Sequence, residues 1–366
     1  MSERLKEAAG YALWITISAL TGVFLMSLSV KAVGYAFGGS PESPARMEAS
    51  ALGALEGAPN FNAGKIGGLA KQKAKERRPS KNKNTTLLFV GDIMLDRGVK
   101  RSVMQNYGGD FSLLFKKIKP AVLKADIAFG NLEGSVSDKG ADTGKIYSFR
   151  MPPEALGAIK AAGFDALSIA NNHTGDWGRV AFEDTLLRLK TSGIVPVGGG
   201  YNKNDASGTK IIARNGLRFS FLGFSGVGPN WLKATESKSG ILIADGNFAN
   251  TIKEAAEKTD VLIVSIHFGT EYQNHSNERQ RALARAAIDN GALIVVGHHP
   301  HVAQEIERYK GGIIAYSLGN FIFDQSFSKE TMKGLMLEVD ISSAGKIKSF
   351  KKLVTELNEF FQPRFK

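Results

Sequence analysis

Five short apolar runs in this sequence each end abruptly in a cluster of polar residues, and this pattern limits the possible fold more than any other feature. With their endings, the runs read LLFV-GDIMLDR, DIAF-GNLEG, ALSIA-NNHTGD, VLIVSI-HFGTEY and LIVV-GHHPHV. Apolar runs of this length, bounded by turn residues, are typical of buried β-strands. Stretches with helical periodicity lie between them, so the sequence predicts an α/β domain.

Further runs and helices complete the alternation. Ile194–Val197 and Ile313–Tyr316 are two more predicted strands, and Asn-Gly between two apolar runs predicts a hairpin over Ile211–Gly223. A hairpin among strand–helix–strand units indicates mixed rather than purely parallel sheets. The predicted helices include Phe111–Ala125, Pro153–Ala162, Phe182–Thr191, Ala249–Lys258 and Glu278–Asn290.

The N-terminal part of the chain has a different character. Gly10–Val30 contains no charged residue, and at about 1.5 Å per residue it is long enough to cross a hydrocarbon core of about 30 Å. A cleaved signal peptide has a shorter apolar region, of about 7–15 residues, and a buried core helix is not usually followed by a long loose tail, so residues 1–35 are predicted to hold an uncleaved signal anchor. Residues 36–84 are predicted to form a flexible stalk. Residues 85–366 then form the globular domain, on the extracytoplasmic side of the cell membrane.

Composition excludes several classes of site. The chain of 366 residues has no cysteine, which excludes thiol catalysis, disulfides and cysteine-based metal sites. Its formal net charge is +12, of which Lys71–Asn84, with seven basic residues and one acid, supplies half. Such a run is typical of a solvated linker, and contact with anionic lipid or polymer is the alternative. No recognition-helix signature or RNA-binding aromatic motif is present, so no nucleic-acid partner is expected.

The polar endings are predicted to form one shared site. Strands in an α/β sheet gather their carboxyl ends along one edge, which brings distant segments together. Asn-Asn-His or Gly-Asp alone would indicate only a cap or a turn, but five endings rich in His, Asn and carboxylates indicate a common polar site. Imidazole and carboxylate ligands suit Mn, Fe or Zn, which the sequence does not distinguish. The candidate members are Asp92, Glu133, Asn172, His173, His267, His298, His299 and His301, whereas His275 lies in a polar loop.

In chain order, GDIMLDR, GNLEG, FRMPP, NNHTGDWG, HFGTEY, GHHPHV and YSLGNFIFDQ resemble the bacterial capsule-synthesis CapA family. That family is associated with poly-γ-glutamate capsules and belongs to the calcineurin-like metallophosphatase superfamily. The resemblance covers about residues 85–357 and implies a four-layer α/β/β/α sandwich behind a membrane anchor. It also implies one or two divalent ions, an anionic polymer or phosphoester substrate, and other capsule-synthesis membrane proteins as partners.

The resemblance further implies which endings bind metal. An aspartate and a bridging carboxylate would hold the first ion, an amide and two imidazoles the second, and a third imidazole would return to the first. In that order these residues are Asp92 and Glu133, then Asn172, His267 and His299, then His301.

One position departs from the superfamily pattern. The first motif is typically Asp-x-His, whereas Met94 stands at its third position here. A thioether is a poor ligand for hard or borderline ions. The first ion is therefore expected to be weakly bound, differently coordinated or absent. His298 is an alternative ligand, and the sequence alone does not decide between it and His299.

His173 matches the histidine that protonates the leaving group in the superfamily. An unperturbed imidazole pKa of about 6.5 suits a general acid near neutral pH. Asp176 or Glu271 is predicted to orient this imidazole, unless either carboxylate only caps a loop.

Four residues are candidate substrate contacts: Arg97, Arg150, Glu271 and Asn320. A guanidinium fork matches phosphate or carboxylate geometry, and a surface salt bridge is the alternative for each arginine. Asn320 and Asp324 follow the last apolar run, and either residue could support a metal ligand by a hydrogen bond. Turn formation is the other interpretation, since Asn and Asp are common in turns.

Two functions remain open from the sequence. One is a metal-dependent hydrolase acting on a phosphoester or an amide-linked polymer, which the adjacent Asn172 and His173 favour. The other is a non-catalytic component of a capsule export or anchoring assembly that holds a polyanionic chain, which Met94 favours.

Overall fold

The computed structural model describes residues 83–366. The signal anchor predicted within residues 1–35 and nearly all of the predicted stalk lie outside this range. Among the helices of residues 83–366, none is long and apolar enough to span a membrane.

Eighteen strands are present in residues 83–366. They are β1 (Thr85–Ile93), β2 (Ile127–Leu132), β3 (Ser135–Val136), β4 (Arg150–Met151), β5 (Ala166–Ser168), β6 (Val195–Val197), β7 (Gly199–Gly200), β8 (Lys210–Arg214), β9 (Leu217–Ser225), β10 (Gly240–Ile241), β11 (Val261–His267), β12 (Ile294–His298), β13 (Ile306–Tyr309), β14 (Gly312–Ala315), β15 (Asn320–Ile322), β16 (Lys333–Ile341), β17 (Ile347–Leu357) and β18 (Pro363–Phe365).

Seven α-helices lie in the same part of the chain. They are α1 (Arg97–Asn106), α2 (Lys119–Lys124), α3 (Glu154–Ala162), α4 (Gly178–Thr191), α5 (Lys203–Ser207), α6 (Phe248–Ala256) and α7 (Glu278–Asp289), with short 3₁₀ helices at Phe111–Phe115 and Asn230–Leu232.

Two mixed sheets form the centre of the domain. The first has eight strands in the order β18-β17-β16-β1-β2-β5-β6, with β15 also paired to β1, and the second has six in the order β13-β14-β12-β11-β9-β8. Strands β1, β2, β5 and β6 run parallel in the first sheet, as do β9, β11, β12 and β14 in the second. Two two-stranded sheets, β3 with β4 and β7 with β10, are separate from these. The predicted mixed α/β organisation is confirmed.

Apolar side chains alternate along the strands so that each sheet is covered on both faces. Between the sheets, the Phe129 ring stacks on the Phe221 ring at 5.4 Å between centroids, within one apolar cluster drawn from both sheets. A second cluster packs the first sheet against helices that include α3 and α4, and a third packs the second sheet against α6 and α7. Burial on both faces produces four layers: helices, sheet, sheet, helices.

Two local predictions have different outcomes. The Asn-Gly hairpin is confirmed, because β8 and β9 pair antiparallel around Asn215 and Gly216, both with positive φ. The single helix predicted over Phe111–Ala125 is wrong: a 3₁₀ turn ends at Phe115 and α2 begins at Lys119. Pro120 at the start of α2 explains the break, since proline lacks the N–H of a continuous helix and its ring clashes with the preceding turn.

Candidate metal centre

The two carboxylates predicted at the site come from neighbouring parallel strands. Asp92 lies near the end of β1, directly opposite Asn131 of β2, and Glu133 follows two residues later. The Asn131 Nδ2 atom donates to Asp92 Oδ1 at 2.9 Å and to Glu133 Oε2 at 3.2 Å. All three side chains are fully buried. Asn131 therefore holds two buried carboxylates beside each other, although sequence reasoning did not single it out.

The second sheet brings the imidazoles to the same place. His267 ends β11, and its Nε2 atom lies 2.8 Å from the Asn172 side-chain oxygen, which comes from the loop after β5. His299 and His301 follow β12 with φ angles of 97° and 59°. Such left-handed backbone costs of order 1–3 kcal/mol for residues other than glycine and is found mainly at functional sites. His301 Nε2 lies 3.6 Å from Glu133 Oε1, and its Nδ1 lies 3.5 Å from Asp92 Oδ2.

Two groups of side chains in residues 83–366 place potential ligand atoms within 4.8 Å of one another. Glu133 Oε1 and His299 Nδ1 are buried without any hydrogen-bond partner, a costly condition that a bound cation would relieve. Carboxylate and imidazole donors of this kind suit a divalent ion, so these residues fit a divalent metal. The groups are Asp92, Glu133 and His267, and Glu271, His299 and His301.

The two adjacent histidines occupy different environments. His298 is fully buried in the last position of β12; neither ring nitrogen makes a hydrogen bond, and Nδ1 lies 3.2 Å from Asp92 Oδ1. His299 is only slightly exposed and belongs to one of the two potential ligand groups, whereas His298 belongs to neither. The geometry therefore favours His299 over His298 as a ligand.

The charge states of the acids depend on the surrounding imidazoles. Burial opposes ionisation of Asp92, but the neighbouring His298 and His301 hold its pKa well below the usual value. Burial and the negative charge of Asp92 raise the pKa of Glu133 well above its usual value. A second negative charge beside Asp92 is therefore costly in the protein alone, and a cation between the two acids would favour ionised Glu133.

Burial and neighbouring charges also give the three imidazoles different pKa values. Burial and the charge of His299 lower the pKa of His267 well below its usual value, and burial with the charge of His301 lowers the pKa of His299 to about 4. Burial also opposes protonation of His301, but Glu133 and Asp92 raise its pKa to about 9. His267 and His299 are therefore neutral and available as ligands, whereas metal binding at His301 must displace a proton.

Met94 does not take part in this cluster. Its side chain is fully buried in the apolar layer outside the first sheet, and its sulfur accepts the backbone N–H of Asp96 at 3.2 Å. The imidazole of the superfamily's first motif therefore has no equivalent at this position.

His173 and Asp176 form a hydrogen-bonded pair beside the cluster. His173 Nδ1 lies 2.7 Å from Asp176 Oδ2, which also accepts the Phe149 backbone N–H. The Phe149 ring stacks on the imidazole at 3.9 Å between centroids. Burial lowers the pKa of His173, and the charge and hydrogen bond of Asp176 oppose this shift. Of the two carboxylates predicted to orient His173, Asp176 makes the contact, and Glu271 lies with His299 and His301 instead.

A third partner of this pair was not found from the sequence. Lys145, in an exposed loop, places its Nζ atom 2.8 Å from Asp176 Oδ1 and also donates to the Asn172 backbone carbonyl. Asn171 donates to Asn131 Oδ1 and to the Leu132 carbonyl. No sequence signal distinguishes Lys145 from other surface lysines, whereas Asn131 and Asn171 lie inside polar endings that the sequence did mark.

A cavity of about 170 Å³ opens onto the site and is lined by Arg97, His173, Glu271 and His301, among others. The Arg97 fork pairs with Asp324 through Nε and a terminal nitrogen at 3.1 and 2.6 Å. Arg97 thus reaches the cavity with part of its fork already in a salt bridge.

Two predicted substrate contacts lie elsewhere. The Arg150 guanidinium stacks over the Trp177 ring, 3.5 Å from its centroid, and Arg150 is not among the residues that line this cavity. Asn320 is buried behind His301 and places its Oδ1 atom 3.0 Å from the Nδ1 atom of that ring. Its contact is therefore with a potential metal ligand, because β15 pairs with β1 and holds Asn320 inside the sheet.

Two packed mixed sheets flanked by helices, with carboxylates, amides and imidazoles along one edge, fit a metallophosphatase-like fold. Residues 86–325 match the family model described as "Bacterial capsule synthesis protein PGA_cap". This match covers more than half of the chain, and the chain belongs to that family. The resemblance to capsule-synthesis CapA proteins is thereby confirmed.

Two curated relatives carry related names. The "PGA biosynthesis protein CapA" of Bacillus subtilis (strain 168) is 40% identical over 248 residues, which cover 66% of this chain and 64% of the relative. The "Capsule biosynthesis protein CapA" of Bacillus anthracis is 37% identical over 257 residues, covering 68% of this chain and 62% of the relative. The chain therefore spans less than two thirds of the length of these relatives.

Similarity to solved structures is more distant. A novel phosphatase from Mycoplasma pneumoniae superposes with a TM-score of 0.47 at 14% identity, covering 75% of this chain and 94% of that chain. A 5'-nucleotidase precursor from Thermus thermophilus superposes with a TM-score of 0.44 at 13% identity, covering 74% of this chain and 54% of that chain.

Proposed function

We propose that this protein acts in the biosynthesis of a polyanionic capsule, poly-γ-glutamate or a similar polymer, as a divalent-metal-dependent hydrolase. The names of the two Bacillus relatives support the capsule role. The observation that carries the hydrolase role is the position of His173. It is hydrogen-bonded to Asp176 and lines the same cavity as His301 and Glu271 of the potential ligand groups.

The proposed ligands are those of the sequence prediction. One or two divalent ions, Mn, Fe or Zn, would supply an activated water and charge stabilisation of the reacting oxygens. Two such ions would outweigh the charges of Asp92 and Glu133, so the site would favour an anionic substrate such as a phosphoester. The residues proposed to hold them are Asp92, Glu133, Asn172, His267, His299 and His301.

His173 is proposed to donate a proton to the leaving group from its Nε2 atom. Asp176 binds Nδ1 and thereby fixes the ring orientation, and the stacked Phe149 ring restricts its rotation and excludes water from one face. Arg97, whose fork is aligned by Asp324, is proposed to bind an oxygen of the anionic substrate.

The test measures metal content and, with Mn²⁺, phosphate release from glycerol phosphate, whose alkoxide leaving group needs a proton. His267→Ala is expected to lose the metal held with Asp92 and Glu133 and, with it, the activity. His173→Ala is expected to keep its metal and to lose about 10²–10⁴-fold in kcat, the range for a general acid. His275→Ala is the matched control, because this side chain is 91% exposed in a polar loop. Full activity in His173→Ala would contradict the proposed proton donor.

A second candidate function is a non-catalytic component that holds the polymer during export or anchoring. Met94 favours it, because the first ion lacks the imidazole ligand of the superfamily motif. The same preparations separate the two functions. A chain that binds poly-γ-glutamate equally well in chelator, contains no metal and hydrolyses nothing would support the second function.

Membrane attachment is part of the proposal. The uncharged stretch Gly10–Val30 is long enough to span a bilayer, and we propose a single-pass protein with its globular domain extracytoplasmic, next to other capsule-synthesis membrane proteins. Digestion of the globular domain by protease added to intact, wall-stripped cells is the expected result, and full protection would contradict this orientation.

A further inference from the structure

The Asp-x-His motif of the superfamily offers two metal ligands, whereas in this chain the same motif offers only Asp92. Met94 occupies the second ligand position with its side chain in the apolar layer and its sulfur on the Asp96 backbone N–H. A small shift of the side chain would not correct this, because the residue is fully buried among apolar neighbours. If an ion binds on this side of the cluster, another side chain must complete its coordination.

Glu271 is positioned to do so. The loop after β11 carries Glu271, and the Tyr272 backbone N–H donates to the Pro300 carbonyl at 2.8 Å. Pro300 lies between His299 and His301, so this hydrogen bond ties the Glu271 loop to the loop that bears both imidazoles. A carboxylate oxygen of Glu271 and one nitrogen of each imidazole lie within 4.8 Å of one another.

The surroundings of Glu271 are consistent with a ligand role. Among the ion pairs of residues 83–366, no lysine or arginine pairs with Glu271. His299 is only 7% exposed, and its Nδ1 atom has no hydrogen-bond partner. Glu271 also lines the cavity, so an ion held by it would remain open to substrate.

We propose that Glu271, with His299 and His301, binds a divalent cation on the His301 side of the cluster, where Met94 supplies no donor. This inference rests on the proposed metal-dependent function and changes the role of Glu271 from substrate contact to metal ligand. One carboxylate and two imidazoles suit Mn²⁺, Fe²⁺ or Zn²⁺.

The test measures Mn²⁺ binding to the full-length chain. Calorimetry and the loss of the free Mn²⁺ signal in electron paramagnetic resonance report the binding. Glu271→Gln is expected to weaken Mn²⁺ binding at one site at least tenfold, with any second site unchanged. Glu271→Ala is expected to weaken it at least as much. Glu278→Gln, an exposed carboxylate in the first turn of α7, is the matched control and is expected to bind as wild type does.

The outcomes separate this inference from the proposed function. Tight Mn²⁺ binding by wild type with unchanged affinity in both Glu271 variants would overturn the inference and leave the metal-dependent function standing. No Mn²⁺ binding by wild type would overturn both. Thermal unfolding in chelator should be the same for wild type and Glu271→Gln, because Glu271 is not buried. Equal unfolding attributes a lost Mn²⁺ site to the missing ligand, and a lower unfolding temperature with lost binding would assign Glu271 a structural role instead.

Discussion

At the scale of single residues, hydrogen bonds outweigh burial in setting the pKa of Asp184, a buried acid outside the site. Asp184 on α4 is almost fully buried, which alone would raise its pKa. Hydrogen bonds from Lys139, Arg188 and Ser137 lower the pKa of Asp184 to about 2. The ionised carboxylate therefore ties α4 to the loop after β3.

This lowered pKa predicts a pH dependence of stability. Because the folded pKa of Asp184 lies below its unfolded value of about 3.9, its contribution is complete above about pH 4 and is lost as the pH falls towards 2. Asp184→Asn is expected to lower the free energy of unfolding by about 1–2 kcal/mol at pH 7 and to flatten the acid limb of the curve. Urea unfolding from pH 2 to 7 measures the free energy of unfolding, and Asp142→Asn, at an exposed residue, is the control. An equal loss of stability at low pH in Asp184→Asn and wild type would contradict the prediction.

At the scale of secondary-structure elements, close backbone contact sets the position of Asp92. A Cβ atom added to Gly91 in β1 would lie 1.9 Å from the Gly319 carbonyl oxygen. The Asp92 backbone N–H donates to that same oxygen at 3.0 Å. Glycine in β1 therefore allows the segment before β15 to approach, and this approach aligns the first carboxylate of the site.

Two glycine substitutions test this contact. Gly91→Ala is expected to separate the two segments and to cost about 2–3 kcal/mol or more. Gly157→Ala, inside α3 with no atom within 4 Å of an added Cβ, is expected to stabilise the protein by about 0.5–1 kcal/mol. Urea denaturation of both variants measures the difference. Equal stability of Gly91→Ala and wild type would show that the contact is not constraining.

At the scale of the whole molecule, the proposed ion joins the two sheets. Asp92 and Glu133 belong to the first sheet and its following loop, whereas His267 and His299 come from the second. A metal bound by both sheets binds only the folded chain, and so stabilises it by mass action.

Chelation is therefore expected to lower the thermal unfolding temperature. At free Mn²⁺ one hundred times its Kd, stabilisation is about 2.7 kcal/mol, which corresponds to about 5 °C or more for a domain of this size. Calorimetry with Mn²⁺ and with chelator measures the shift. His267→Ala is expected to show a smaller shift, because it loses a ligand of the group that joins the two sheets but keeps Glu271, His299 and His301. A wild-type unfolding temperature that does not respond to Mn²⁺ would contradict the bridging role.

Much of the site was predictable because it lies at strand ends. Asp92, Glu133, His267 and His301 follow apolar runs, and parallel strands bring such ends to one edge of a sheet. Arg150 was not separable from Arg97 in this way. Both arginines lie in polar motifs of the sequence. Only packing decides that Arg97 reaches the cavity while Arg150 stacks on Trp177.

The amino-acid sequence by itself determined the mixed α/β organisation, the Asn-Gly hairpin and the polar edge, since strand burial needs apolar runs and left-handed turns favour Asn and Gly. Only the tertiary structure decided that Lys145 meets Asp176, that Glu271 joins His299, and that Met94 turns into the apolar layer. These contacts join segments far apart in the chain. They depend on how the two sheets and their loops pack, which no local pattern encodes.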